Sequence, residues 1–143
     1  MSRARFTHWT PQEVRWGDMD ALGHVNNSAY FVYCESARMA FFGVLNMAKH
    51  THDGARGPAL ATAGLEFKQQ VHHPASLEIG LAVERIGRSS FTLVYGLFRA
   101  GEAEVVAQGQ SVVVWVDYAA GRSEPLPEML SEALGAYSVA DEA

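Results

Sequence analysis

Hydrophobic and polar positions change period once along the chain. From Ser28 to Leu45 apolar residues are nearly continuous (SAYFVYCESARMAFFGVL), interrupted by Glu35, Ser36 and Arg38. The segment has no Pro and its single Gly lies near its end, which predicts a helix of about seventeen residues. Asn26, Asn27 or Ser28 can cap it, because their side chains accept from the free N–H groups of a first turn. Downstream the period becomes two. Leu65, Phe67, Gln69 and Val71 alternate with polar residues; Leu77, Ile79, Leu81 and Val83 alternate with Glu78, Gly80, Ala82 and Glu84; Phe91, Leu93, Tyr95 and Leu97 follow at the same spacing. The run VVVWV (112–116) is apolar on both faces, as a central strand is. Gly87 and Ala100-Gly101-Glu102 mark tight turns between these strands, which predicts an antiparallel meander.

Two further elements are expected. QEVRW (12–16), after Pro11, has strand character, and PLPEMLSEAL (125–134) is at most a short helix. Residues 49–57 read as a loop. The chain divides into one domain over residues 1–135 and a loose tail over 136–143.

A helix without a polar face is either membrane-spanning or buried on most sides. This one carries charges and falls short of the ~20 apolar residues that cross a bilayer. The rest of the chain is therefore expected to wrap it, which gives an α+β fold with an antiparallel β-sheet curved around a long central helix.

Charge narrows the partners. Eleven Lys and Arg against sixteen Asp and Glu give a net charge of −5, and no basic stripe is present. Nucleic acid and membrane insertion are not expected of such a chain. The single cysteine, Cys34, cannot form an intrachain disulfide, and the N-terminus leads into no apolar signal segment. The reading is a cytoplasmic protein. The histidines at 50, 52, 72 and 73 lack supporting Cys or acidic spacing, so no metal site is assigned.

Chemistry concentrates in the loop GDMDALGHVNN (17–27), which holds two carboxylates, a histidine and two asparagines and runs into the helix start. First-turn N–H groups have no intrahelical partner, and with the helix dipole they suit an anion or a polarised carbonyl oxygen. A carboxylate a few residues upstream can attack that carbonyl or activate water to do so. Asp18 and Asp20 are the candidates, with Asp18 more suited to fixing the loop. His24 is a candidate proton-transfer group or pocket wall. Gly23 suits a positive φ or a close approach of substrate. Glu35, the sole acid on the helix, can pair with Arg38 at i,i+3.

WGDMDALGHVNNSAYFVYCESAR resembles the opening motif of the 4-hydroxybenzoyl-CoA thioesterase family, hotdog-fold acyl-CoA thioesterases. ERIGRSSFTLVYGLF and GRSEPLPE add further matches, so the resemblance covers most of residues 10–130. It implies the hotdog fold and hydrolysis of an acyl-CoA thioester to free acid and CoA, at sites formed between the subunits of a homodimer or homotetramer. Asp20 falls on the catalytic carboxylate, as nucleophile or general base. Asn27 falls on the residue whose backbone N–H polarises the thioester carbonyl. Arg88, Ser89 and Ser90 fall in a turn close to CoA. Asn26 and Tyr30 border the implied acyl pocket. Glu35 is the second-choice carboxylate, because other hotdog clades carry theirs on the central helix. No metal or redox cofactor is implied, the CoA thioester being the substrate. Two rival readings are a hotdog hydratase or dehydratase and a non-catalytic acyl-CoA-binding subunit.

Overall fold

The computed structural model describes residues 2–140. Six strands and two helices follow in the order β1 (His8–Glu13), α1 (Asn27–Val44), β2 (Arg56–Phe67), β3 (Ser76–Ile86), β4 (Ser90–Arg99), β5 (Val105–Asp117), β6 (Arg122–Ser123) and α2 (Glu128–Gly135). The five long strands form one antiparallel sheet in the order β1-β3-β4-β5-β2, and β6 pairs with the end of β5. The meander β3-β4-β5 is the one the alternating pattern predicts. Its turns are tight: the Gly87 amide donates to the Ser90 carbonyl at 2.7 Å, and Gly101 takes φ 75°, a value glycine tolerates without strain.

The sheet curls around α1, and this α+β arrangement is the hotdog fold. Tyr33, Ala37 and Phe41 on the helix pack into a core with Leu77, Ile79 and Leu81 of β3, Leu93, Tyr95 and Leu97 of β4, and Val113 and Trp115 of β5. The wrapping is one-sided. Phe31, Val32, Met39 and Val44 remain exposed on the opposite face of α1, so a single chain does not enclose the whole rod. No helix among the described residues is long and apolar enough to cross a membrane.

Three expectations are corrected. The first strand is His8–Glu13 rather than 12–16, and it runs through Pro11; β1 is an edge strand, where a missing N–H costs no ladder bond. The second strand begins at Arg56, inside the expected loop, and ends at Phe67, before the alternating residues Gln69 and Val71. Its first nine residues (RGPALATAG) are mostly small and lie on a sheet edge, where burial does not alternate. The tail is also docked over its described part. The Val83 amide donates to the Tyr137 carbonyl, the Val139 amide donates back to Val83, and the Tyr137 ring meets Phe41 edge-on at 5.1 Å. Residues 141–143 of the expected tail lie outside the described residues.

Candidate active site

The polar loop is folded into a tight turn beside the helix start. Met19 bridges Val25, the Asp20 amide donates to the His24 carbonyl at 3.0 Å, and the Gly23 amide donates to the Asp20 carbonyl at 3.1 Å. Gly23 takes φ 87°, the left-handed conformation that closes this turn. The 71–73 segment clamps the turn from outside. Val71 accepts from the Val25 amide, the His72 ring nitrogen Nδ1 lies 2.7 Å from the Gly23 carbonyl, and the His73 amide meets the Met19 sulfur. The Asn26 amide donates to the Asp18 carbonyl at 2.9 Å, which ties the carboxylate-bearing stretch to the residue that caps α1.

The two carboxylates separate in role. Asp18 Oδ2 accepts from the Tyr33 hydroxyl at 2.6 Å and from the Arg15 amide at 3.0 Å, and the Arg15 guanidinium lies 3.3 Å from its other oxygen. Desolvation pushes the Asp18 carboxyl up, but the Tyr33 hydroxyl and the Arg15 amide and guanidinium outweigh it and hold it below the usual range. A depressed folded value stabilises the protein above the ordinary aspartate range of about 3.9, and that contribution disappears as pH falls through the folded value. Asp18→Asn should therefore lower the melting temperature at neutral pH and flatten its decline below about pH 4. Parallel acid-side melting curves for wild type and variant test this; superimposable curves would remove Asp18 from the scaffold. Asp20 is half-buried, and its Oδ1 accepts from the Leu22 amide at 2.9 Å. No side-chain donor among the described residues occupies it.

Asn26 is the cap of α1: its side-chain oxygen accepts from the Ser28 amide at 2.9 Å and from the Ser28 hydroxyl at 2.8 Å. The Ala29 amide donates to the Asn26 carbonyl. The Asn27 amide, first of the helix, has no partner among the described residues. His24, Asn27 and Tyr30 line a cavity of about 240 Å³ together with Phe67, Lys68 and Gln70. Lys68 and its neighbours carry no sequence motif; they reach the site only because β2 ends there.

The remaining candidates are dispersed. Asp20 and Gly23 are in the adjoining turn and do not line that cavity. Arg88, Ser89 and Ser90 form the β3–β4 turn, where Ser89 accepts from the Trp115 amide and Arg88 from the Leu126 amide. The next residue, Phe91, meets Phe42 in the last turns of α1, so within one chain this turn lies toward the far end of the helix from Asn27. Glu35 is exposed and does not pair with Arg38. Arg38 turns toward the sheet and donates to the Tyr95 hydroxyl at 3.1 Å, while Glu35 projects to the open side. Cys34 is buried, and burial pushes its thiol up to about 12 against the opposing pull of Arg38, so it is no nucleophile at neutral pH.

Comparison with known proteins places this architecture. The chain is 26% identical over 122 residues to a 1,4-dihydroxy-2-naphthoyl-CoA hydrolase of Synechococcus elongatus, covering 83% of this chain and 88% of that one. Its fold superimposes on the PA2801 protein of Pseudomonas aeruginosa with a TM-score of 0.82 at 36% identity, covering 90% and 98% of the two chains. It superimposes on the PA5185 protein from the PAO1 strain of the same species with a TM-score of 0.87 at 28% identity, covering 99% and 98%. The model of the thioesterase-like superfamily matches residues 14–134, and the chain belongs to that superfamily.

Proposed function

We propose that this protein hydrolyses an acyl-CoA thioester to the free acid and CoA. The observation that carries this reading is the unpartnered Asn27 amide, at the positive end of an 18-residue helix, on the wall of a cavity that adjoins the Asp20 turn. Membership of the superfamily and likeness to a named CoA hydrolase support it.

The thioester carbonyl oxygen accepts from the Asn27 N–H, and its carbon becomes more electrophilic. The Asp20 carboxylate attacks that carbon, the carbon–sulfur bond breaks, and CoA leaves as a thiolate that takes a proton from water. Water then hydrolyses the resulting mixed anhydride and restores the carboxylate. In the general-base variant, Asp20 takes a proton from the attacking water and the same bond breaks. One donor of the Asn27 kind contributes about 3 kcal/mol to such a transition state when water is excluded.

Exclusion of water calls for a second copy. Trp16 and Leu22, flanking the Asp20 turn, are each 79% exposed, and the twelve-residue β2 is an unpaired edge whose charges are confined to Arg56 and Glu66. In this reading a homodimer, or a tetramer built from it, covers the turn, and the partner's copy of the β3–β4 turn supplies the cation for CoA.

A thiol-release screen across aliphatic and aromatic acyl-CoAs, with crotonyl-CoA hydration followed in parallel, tests the proposal. Release of stoichiometric CoA and acid is expected. Hydration without thiol release would reassign the protein as a lyase, and tight CoA binding with neither reaction would make it a binding subunit.

A further inference from the structure

A second cavity, of about 160 Å³, lies on the open side of α1 between Phe31, Glu35 and Arg38 of the helix and Leu60, Leu65 and Tyr95 of the sheet. Its walls are mostly apolar, and its base is not. Arg38 is only 7% exposed, donates to the Tyr95 hydroxyl at 3.1 Å, and through it joins the buried Ser111 hydroxyl at 2.7 Å. Both partners are neutral. None of the ion pairs among the described residues includes Arg38, and its other N–H groups have no partner there. Glu35, on the exposed rim of the same cavity, makes no ion pair with it. A buried guanidinium without a counter-charge is costly, and a planar fork with free donors matches a carboxylate.

This cavity is aligned with the candidate active site. Asn27, Phe31, Glu35 and Arg38 succeed one another at spacings of four, four and three, along one face of the helix. The Phe31 and Phe67 rings, 6.4 Å apart, stand where the two cavities approach each other. Eleven residues of helix rise roughly 16 Å, and a long helical side chain that leans toward the helix start shortens that span, so an acyl chain of medium length bridges the two cavities.

We infer that the cavity receives the far end of the acyl group and that Arg38 binds a carboxylate there, so the substrate is the CoA monothioester of a medium-length dicarboxylic acid. The inference rests on the hydrolase reading for its reaction and on the Arg38 pocket for its specificity. Tyr95 is a positioning residue, holding the guanidinium through its hydroxyl.

The experiment compares octanedioyl-CoA with octanoyl-CoA as substrates of the full chain, and adds free octanedioate in a thermal-melting assay that needs no turnover. Wild type is expected to favour octanedioyl-CoA in kcat/KM by at least about tenfold, the scale of one charged hydrogen bond. Arg38→Met is expected to bring that ratio near one and to abolish the rise in melting temperature produced by octanedioate. Equal or reversed preference in wild type, with no octanedioate stabilisation, overturns the inference and leaves the hydrolase reading standing. Stabilisation that depends on Arg38, with no thiol release from octanedioyl-CoA or from any acyl-CoA of the screen, supports the pocket and overturns the hydrolase reading. If Arg38→Met does not fold, Tyr95→Phe takes its place. A several-fold fall in the octanedioyl preference is then expected, and an unchanged ratio counts against the inference.

Discussion

Asp20→Asn should lower turnover of the best acyl-CoA at least about a hundredfold while leaving the melting temperature within a few degrees of wild type. The substitution keeps the side-chain carbonyl oxygen that accepts from the Leu22 amide, so the turn between Asp20 and His24 can persist. What it removes is the negative charge required of a nucleophile or general base. Asp18→Asn is the informative contrast. That carboxylate is already engaged by Tyr33 and Arg15, so its loss should register first in stability. A folded Asp20→Asn protein with near-normal turnover would transfer the chemistry to another group, and Glu35 would be the next to examine.

Gly109→Ala should unfold the protein more readily than any other single methyl addition to the sheet. Gly109 lies in β5, opposite Leu65 of β2 and Tyr95 of β4. A Cβ built there would fall 1.9 Å from the Gly64 carbonyl oxygen and 2.8 Å from Leu65 Cδ2. The first obstacle is backbone of the paired strand, which cannot rotate away, so β2 itself must shift. Overpacking of this kind costs about 3 kcal/mol, or a fall in melting temperature near 10 °C for a chain of this size. Gly43→Ala provides the opposite sign. It sits in the last turn of α1 with nothing within 4 Å of its added methyl, and alanine is better in a helix by about 1 kcal/mol. Calorimetric scans of both variants decide the matter; a Gly109→Ala protein as stable as wild type would mean that β2 is not held at the register described.

The long helix is legible in the sequence as an unbroken apolar run without Pro, and the meander because its burial is periodic: Leu77, Ile79, Leu81 and Val83 all face the core. Edges are less legible. Residues 57–64 of β2 have one side without a neighbouring strand, so their small side chains show no alternation, and Pro11 reads as a stop although β1 is an edge that accepts it. The docked tail had a signal in Tyr137, a large aromatic residue whose partner Phe41 lies far away in sequence. At the site, the loop's composition marks the place, and of the three residues able to cap the helix, Asn26 is the one that does. Which of Asp18 and Asp20 is sequestered depends on Tyr33, two turns into the helix, and no local pattern encodes that contact. Arg38 reads in the sequence only as an interruption of the apolar helix and a partner for Glu35, because its buried partners Tyr95 and Ser111 come from two different strands.

The helix start carries the whole account, and an acyl-CoA labelled with carbon-13 at the thioester carbonyl reports on it directly. Bound to the Asp20→Asn protein, where cleavage is slowed, that carbonyl should show an infrared stretch below its value in water, because the Asn27 amide donates to its oxygen in a less polar setting. A bound thioester whose stretch matches or exceeds the aqueous value would contradict the assignment of that amide.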